Sequence, residues 1–209
     1  MQNEANIPLN NSHMIAISAL IERWQAGDER AAQALYDHFW DRTFWLAYGL
    51  LGDPDDAEEV AQDALYYALS NIARFDQNRA AFSTWLHTIT VSRSRNRYRR
   101  RRLSWSSLTT WLRRGGDVPD PAPGQEQKAI RTEAKSIVWE AVQGLTPRLR
   151  EAVLLRYWVG HTYREMADIL GCPVPTAQSR VRLAFQRLRD ALAPESLIDL
   201  GDVEERITR

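Results

Sequence analysis

The sequence predicts an all-α protein of two small helical domains joined by a flexible linker. Three observations carry that expectation. Apolar residues recur at three- and four-residue spacing along most of the chain. No strand pattern stands out, and segments rich in Ala, Leu, Arg, Glu and Gln dominate. One run, 103–127, gathers enough Gly, Pro, Ser and Thr to break any regular element. It separates a helical unit at 18–102 from a second at 128–194, with an N-terminal extension at 1–17 and a tail at 195–209.

The elements follow in chain order. Ile17 to Gln25 reads as a helix ended near Gly27. Glu29 to Leu50 is another, with Leu35, Phe39, Leu46 and Leu50 on its apolar side. Gly52, Asp53 and Pro54 interrupt it. Asp55 or Asp56 then caps a helix running to about Ile72, its first turn acidic as the macrodipole favours. Phe75 to Arg79 is a loop, followed by a helix from about Ala81 to Arg102. Beyond the linker, one helix covers about Arg131 to Gly144. Thr146-Pro147 starts the next, which runs toward Gly160. Thr162 and Glu165 form a capping box, Gly171 ends that helix, and Pro175 begins a last one running to about Leu192.

Composition narrows the class. Cys172 is the one cysteine of the 209 residues, so no intramolecular disulfide is available, which fits a reducing cytoplasm. No signal peptide is recognised, and no apolar run reaches the ~20 residues needed to cross a bilayer. The expected location is cytoplasmic, without membrane insertion. Net charge is zero, but its distribution is uneven. From Thr43 to Ala73 there is no Lys or Arg, against six carboxylates. From Arg93 to Arg102, seven of ten residues are Arg. This predicts an acidic face for one partner and a basic face for another. A metal site on the carboxylates would require further ligands, and neither a histidine nor a second acidic cluster accompanies them. No catalytic residue, metal or cofactor is assigned.

Two segments point to nucleic acid. Two short helices across a tight turn, the second longer and basic, form a helix-turn-helix pattern at 162–192. The early residues of the second helix, Thr176, Gln178, Ser179, Arg180 and Arg182, are placed for base edges, and Arg187 for phosphate. The Arg93–Arg102 run follows a helix carrying Phe82 and Trp85. Basic residues beside aromatic rings suit single-strand binding, although Trp85 reads first as a core residue. Trp105 and Trp111 give the linker more apolar character than a passive tether needs.

These motifs together resemble the sigma-70 family. Gly52-Asp-Pro-Asp-Asp-Ala-Glu-Glu-Val-Ala-Gln-Asp63 is similar to the polymerase-binding helix of its second conserved region. Phe82-Ser-Thr-Trp-Leu86 and the Asn96-bearing Arg-rich helix are similar to its promoter-melting helix. Leu145-Thr-Pro-Arg-Leu-Arg-Glu151 and Thr162–Arg180 resemble the fourth conserved region. The first and third regions are missing, as in the extracytoplasmic-function (ECF) subgroup. Pro175 stands where the family often has Gly, and Ala177 where it has a larger aliphatic.

The resemblance implies a sigma factor that binds core RNA polymerase and directs initiation at promoters. It assigns Asp55, Asp56, Glu58, Glu59, Gln62 and Asp63 to the clamp helices of the large subunit, with a further contact on the flap. It assigns Asp76, Asn78, Arg79, Arg93, Arg95, Asn96, Arg97 and Arg99 to the minus-10 element. Thr176, Gln178, Ser179, Arg180, Arg182 and Arg187 fall to the minus-35 element. An anti-sigma protein is an expected further partner. The alternatives are a stand-alone helix-turn-helix regulator, which has no need of the acidic helix, and a metal-dependent nuclease using the carboxylates.

Overall fold

The computed structural model describes residues 11–112 and 133–192, and these contain helices and no strand. Most of the predicted linker and the whole acidic tail lie outside the described residues. Eight α-helices follow in order: α1 Asn11–Gln25, α2 Glu29–Leu51, α3 Pro54–Ser70, α4 Phe82–Leu112, α5 Glu133–Gly144, α6 Pro147–Val153, α7 Tyr163–Leu170 and α8 Val174–Ala191. A 3-10 turn at Ile72–Arg74 follows α3, and a π-helical turn at Leu154–Trp158 extends α6.

Local chemistry explains most boundaries. Asp28 caps α2 by accepting the Arg30 N–H at 3.0 Å. Gly52 ends it at φ 75°, in the left-handed region where a Cβ is strained. The cap of α3 is Asp53, whose Oδ1 accepts the Asp56 N–H at 3.0 Å, with Pro54 in the first turn. This corrects the expectation of Asp55 or Asp56, and the acidic pair occupies the first turn instead. The Thr162–Glu165 capping box is present in both directions. α4 differs most from its expected extent. It continues through 103–112, ten positions into the predicted linker, because no Gly or Pro intervenes before Gly115.

α1 to α4 enclose one core of Ile21, Leu35, Phe39, Leu65, Phe82 and Leu86. Trp85 sits half-buried at its edge, stacked on Phe75 at 5.3 Å. The second core, under α5 to α8, includes Leu149, Leu155, Met166, Leu170, Val181 and Leu188. Leu46, Leu50 and Val91, from α2 and α4, belong to that same cluster. The two halves therefore share apolar surface and pack directly on each other. Burying a large aliphatic side chain is worth about 1.5–3 kcal/mol, so this contact is more than a surface touch.

Candidate protein and nucleic-acid interfaces

α3 and α4 run antiparallel, and their charged residues meet. Arg93 donates to Asp63 at 3.1 Å. Arg97 donates to Asp56 at 2.7 Å and to Glu59 at 2.8 Å. Arg101 reaches Asp56 at 3.2 Å and Asp53 at 3.5 Å. The four-residue spacing of the arginines matches the falling spacing of the acids on the neighbouring helix. The expectation of two separate charged faces is therefore corrected: one stripe of each helix is neutralised by the other. The acids also pair with arginines rather than converging. Among the described residues, no group of three or more His, Cys, Asp and Glu side chains could hold a metal ion.

The pairs differ in exposure. Asp63, Glu59 and the three arginines remain partly solvated. Such pairs are worth roughly 0–1 kcal/mol each and yield to salt or to a competing partner. Asp56 is 8% exposed and sits between two guanidinium groups. It ties α3 to α4 and is the least accessible of the six predicted docking residues. Asp55, Glu58, Glu59 and Gln62 line the exposed outer stripe of α3, where Gln62 donates to Glu58 at 3.1 Å. Tyr66, one turn beyond Gln62, is 75% exposed. The apolar spacing of α3 does not single it out.

α4 divides into three stripes. Arg93, Arg97 and Arg101 face α3. Thr84, His87, Val91 and Arg95 face the second half. Ser92, Asn96 and Arg99 face solvent, where Arg99 donates to Asn96 at 3.0 Å. Among the predicted minus-10 residues on this helix, Asn96 and Arg99 pair with each other, whereas Arg95, also exposed, is held by Glu151.

The loop before α4 is shaped by Asp76, whose Oδ1 accepts the Asn78 N–H at 2.9 Å and its side-chain amide at 3.1 Å. Asp76, Asn78 and Arg79 lie exposed on this loop. Beside them a cavity of about 100 Å³ opens between α1, the loop and the start of α4. Ile21, Phe39 and Phe82 form apolar walls, while Ser18, Gln77 and Ser83 supply polar groups. A single water needs roughly 10–15 Å³ by the same kind of measure, so there is room for a planar ring. The loop, Gln77 included, was legible in the sequence; Ser18 of α1, which only the fold brings beside it, was not.

In the second half, α7 braces α8. Gly171 turns the chain at φ 64°, and Ala177, fully buried, lets α8 approach α7 closely. Gln178, Ser179, Arg182 and Arg187 are exposed, and Thr176 and Arg180 are half-buried. Val181, Ala184 and Leu188 face the core.

Between the halves lies a polar contact that the sequence did not foretell. Arg95 forms a fork with Glu151, Nε to Oε1 and Nη2 to Oε2, both 2.7 Å. The Arg150 guanidinium is buried, donating to Leu50 O at 2.9 Å, to Leu145 O at 3.2 Å and to Gln143 O. It thus caps the carbonyl ends of α2 and α5 together. His87 Nδ1 and His161 Nε2 lie 2.8 Å apart. Burial pushes the His87 pKa down to about 3, with His161 and Arg42 adding to it. Burial also lowers His161, against the pull of the Glu165 carboxylate 3.6 Å away.

Comparison with known proteins gives this geometry a context. Residues 35–104 match the model of "Sigma-70 region 2", and 135–188 that of "Sigma-70, region 4". The chain is 31% identical over 180 residues to the RNA polymerase sigma-H factor of Pseudomonas aeruginosa, covering 84% of this chain and 93% of that protein. It is 28% identical over 185 residues to the ECF RNA polymerase sigma factor SigW of Bacillus subtilis, at 84% and 96% coverage. Among solved structures, CnrH in complex with the cytosolic domain of CnrY is similar in fold. The TM-score is 0.59 at 23% identity, covering 82% of this chain and 94% of that one. The sigma factor RpoE with the anti-sigma factor NepR from Bartonella quintana gives a TM-score of 0.56 at 24% identity, over 76% and 94%.

Proposed function

Because the chain belongs to the sigma-70 family, in its extracytoplasmic-function group, and so directs promoter-specific initiation by RNA polymerase, we propose that its surfaces divide this work among three contacts. The outer stripe of α3, Asp55, Glu58, Glu59 and Gln62, docks on a basic surface of the core enzyme, the clamp helices of the large subunit. Tyr66 provides an aromatic anchor at the end of that stripe. Asp56 supports the stripe from within, and Asp63 sits at its margin. Opposite charge steers the encounter.

The second contact is with the minus-10 element as it opens. The cavity beside the Asp76–Arg79 loop receives an everted base, stacked near Phe82 and contacted by Ser18 or Gln77. Unstacking a base costs a few kcal/mol, and a pocket with both an apolar wall and polar groups can offset it. Asn96 and Arg99 hold the strand, joined by Arg93, Arg95 and Arg97 as their present partners are exchanged for phosphate. The third contact is α8 in the major groove of the minus-35 element. There Thr176, Gln178, Ser179, Arg180 and Arg182 reach base edges and Arg187 reaches phosphate. The chain supplies no catalytic group; nucleotide addition belongs to the polymerase. It works in the cytoplasm, with an anti-sigma protein as a further partner.

The observation that carries this reading is the exposed outer stripe of α3, where Asp55, Glu58 and Gln62 stand clear of the arginine-paired stripe and Glu59 borders both. A stand-alone DNA-binding regulator has no use for that surface. In-vitro transcription with core polymerase tests it. The double reversal Asp55→Arg/Glu58→Arg is expected to abolish polymerase capture and promoter-directed transcription while leaving helix content unchanged. Full activity of that variant would remove α3 from the polymerase contact.

A further inference from the structure

We propose that Leu183 of α8 reads the C5-methyl group of a thymine in the minus-35 element, and so selects one promoter base by apolar contact. The proposal rests on α8 lying in the major groove.

Leu183 has no part in the fold. It is 42% exposed. The core side of α8 is made by Ala177, Val181, Ala184 and Leu188, with Phe185 packed against the same cluster. Leu183 falls on the opposite side of the helix. At about 100° per residue it stands about 40° around the axis from Ser179 and roughly 6 Å further along. Its exposed neighbours on that face, Ser179, Arg182, Gln186 and Arg187, are all polar. Among these described residues Leu183 is the apolar one.

A single aliphatic residue on a protein surface needs no explanation by itself. Its placement decides the matter here. A helix that brings Ser179 and Arg182 to base edges brings Leu183 to them too, because all three share one face. The major groove is about 12 Å wide, close to the diameter of a helix with its side chains, so this face is enclosed by DNA. Ser179 is short enough to let the helix come near the groove floor. Ala177, fully buried, fixes α8 against α7 on the other side.

The groove then offers Leu183 few partners. Its walls are charged phosphate, which an aliphatic group cannot pair with. Its floor is made of hydrogen-bond donors and acceptors, with one apolar exception, the thymine methyl. Leucine pressed on a donor or acceptor strips water from it and returns no hydrogen bond. Against the methyl, both apolar surfaces leave water together. The neighbouring polar side chains cannot make this distinction. Thymine O4 is an acceptor, as guanine O6 is, whereas the methyl group belongs to thymine alone.

The test uses holoenzyme formed from core polymerase and the full chain, on promoter duplexes randomised through the minus-35 element. Wild type is expected to enrich thymine at one position. Deoxyuridine at that position removes only the methyl group. It is expected to weaken binding roughly fourfold, the equivalent of the ~0.8 kcal/mol gained on burying one such carbon. Leu183→Ala keeps a good helix former at an exposed site. It is expected to bind the thymine and deoxyuridine duplexes equally, with preferences elsewhere in the element unchanged. Leu183→Met, apolar and of similar reach, is expected to retain the discrimination. No thymine enriched, deoxyuridine tolerated at every thymine, or a deoxyuridine penalty that persists in Leu183→Ala overturns the contact. Wild-type holoenzyme without base preference anywhere in the minus-35 element overturns the placement of α8 in the groove as well. The two failures are thus told apart by whether the other positions still select their bases.

Discussion

Asp55 and Asp56 are neighbours in sequence with different physical situations. Asp55 is exposed on the outer stripe of α3, whereas Asp56 is enclosed by Arg97 and Arg101. Removing one partner of an enclosed ion pair strands the others, while an exposed charge is nearly neutral for stability. Asp56→Ala is expected to destabilise the protein by about 1–3 kcal/mol in urea titration. Asp55→Ala should stay within ~0.5 kcal/mol of wild type and instead weaken polymerase capture. Equal midpoints for the two variants would place Asp56 on the surface with its neighbour. The same logic applies in α8. Arg180→Ala is expected to cost ~1–3 kcal/mol of minus-35 base discrimination, read from competition between matched and mismatched duplexes. A residue that contacts only phosphate would weaken both duplexes alike.

At the scale of the element, α4 presents three faces, and only the solvent-facing one is open to nucleic acid in this form. Each phosphate contact contributes about 0.7 on a single strand and about 0.9 on duplex to the slope of log affinity against log salt. Replacing Arg99 by Ala is therefore expected to flatten that slope by nearly this amount. Replacing Arg93 is expected to flatten it less, because Asp63 already competes for its guanidinium. Equal losses would mean that the α3 pairs impose no cost on DNA binding. Helices, the Thr162–Glu165 capping box and the helix-turn-helix were legible in the sequence because they rest on local rules: period, capping residues and turn glycines. The caps at the starts of α3 and α6 were not, since Asp53 rather than Asp55 or Asp56 closes the one and the Thr146 hydroxyl leaves the other uncapped. The pairing of α3 with α4 was not read, although its signal was present. Arginines at 93, 97 and 101 mirror acids at 63, 59, 56 and 53. Counting charge by segment predicts two faces, whereas counting it by helical stripe predicts one neutral seam. The run-on of α4 past Arg102 was missed because serines, threonines and tryptophans were read as linker composition, when only Gly or Pro would have stopped the helix.

At the scale of the whole molecule, the contact between halves joins residues 56 to 100 positions apart, and no local rule reports such distances. Its least expected feature is a pair of histidines, and these make the packed form sensitive to pH. In the closed state His87 and His161 are both held below the ordinary histidine value, His87 at about 3. The groups facing them are Arg42 from α2, which disfavours protonation of His87, and Glu165 from α7, which partly favours it on His161. Parting the halves brings both imidazoles into water, where they titrate near ~6.5. The open form therefore binds more protons below that value. The stability of the closed form is fully present above pH ~6.5 and is lost as pH falls below it, by up to about 1.4 kcal/mol per unit for each histidine. The radius of gyration of the wild-type chain is expected to rise between pH ~7.5 and ~5.5 at constant helix content. His161→Gln, which keeps a polar group of similar reach but cannot titrate, should reduce that rise, since one of the two protons is removed. A wild-type radius independent of pH across this window would mean that the imidazoles keep their neutral environment after the halves separate, and that the seam between α4 and α7 does not open as a unit.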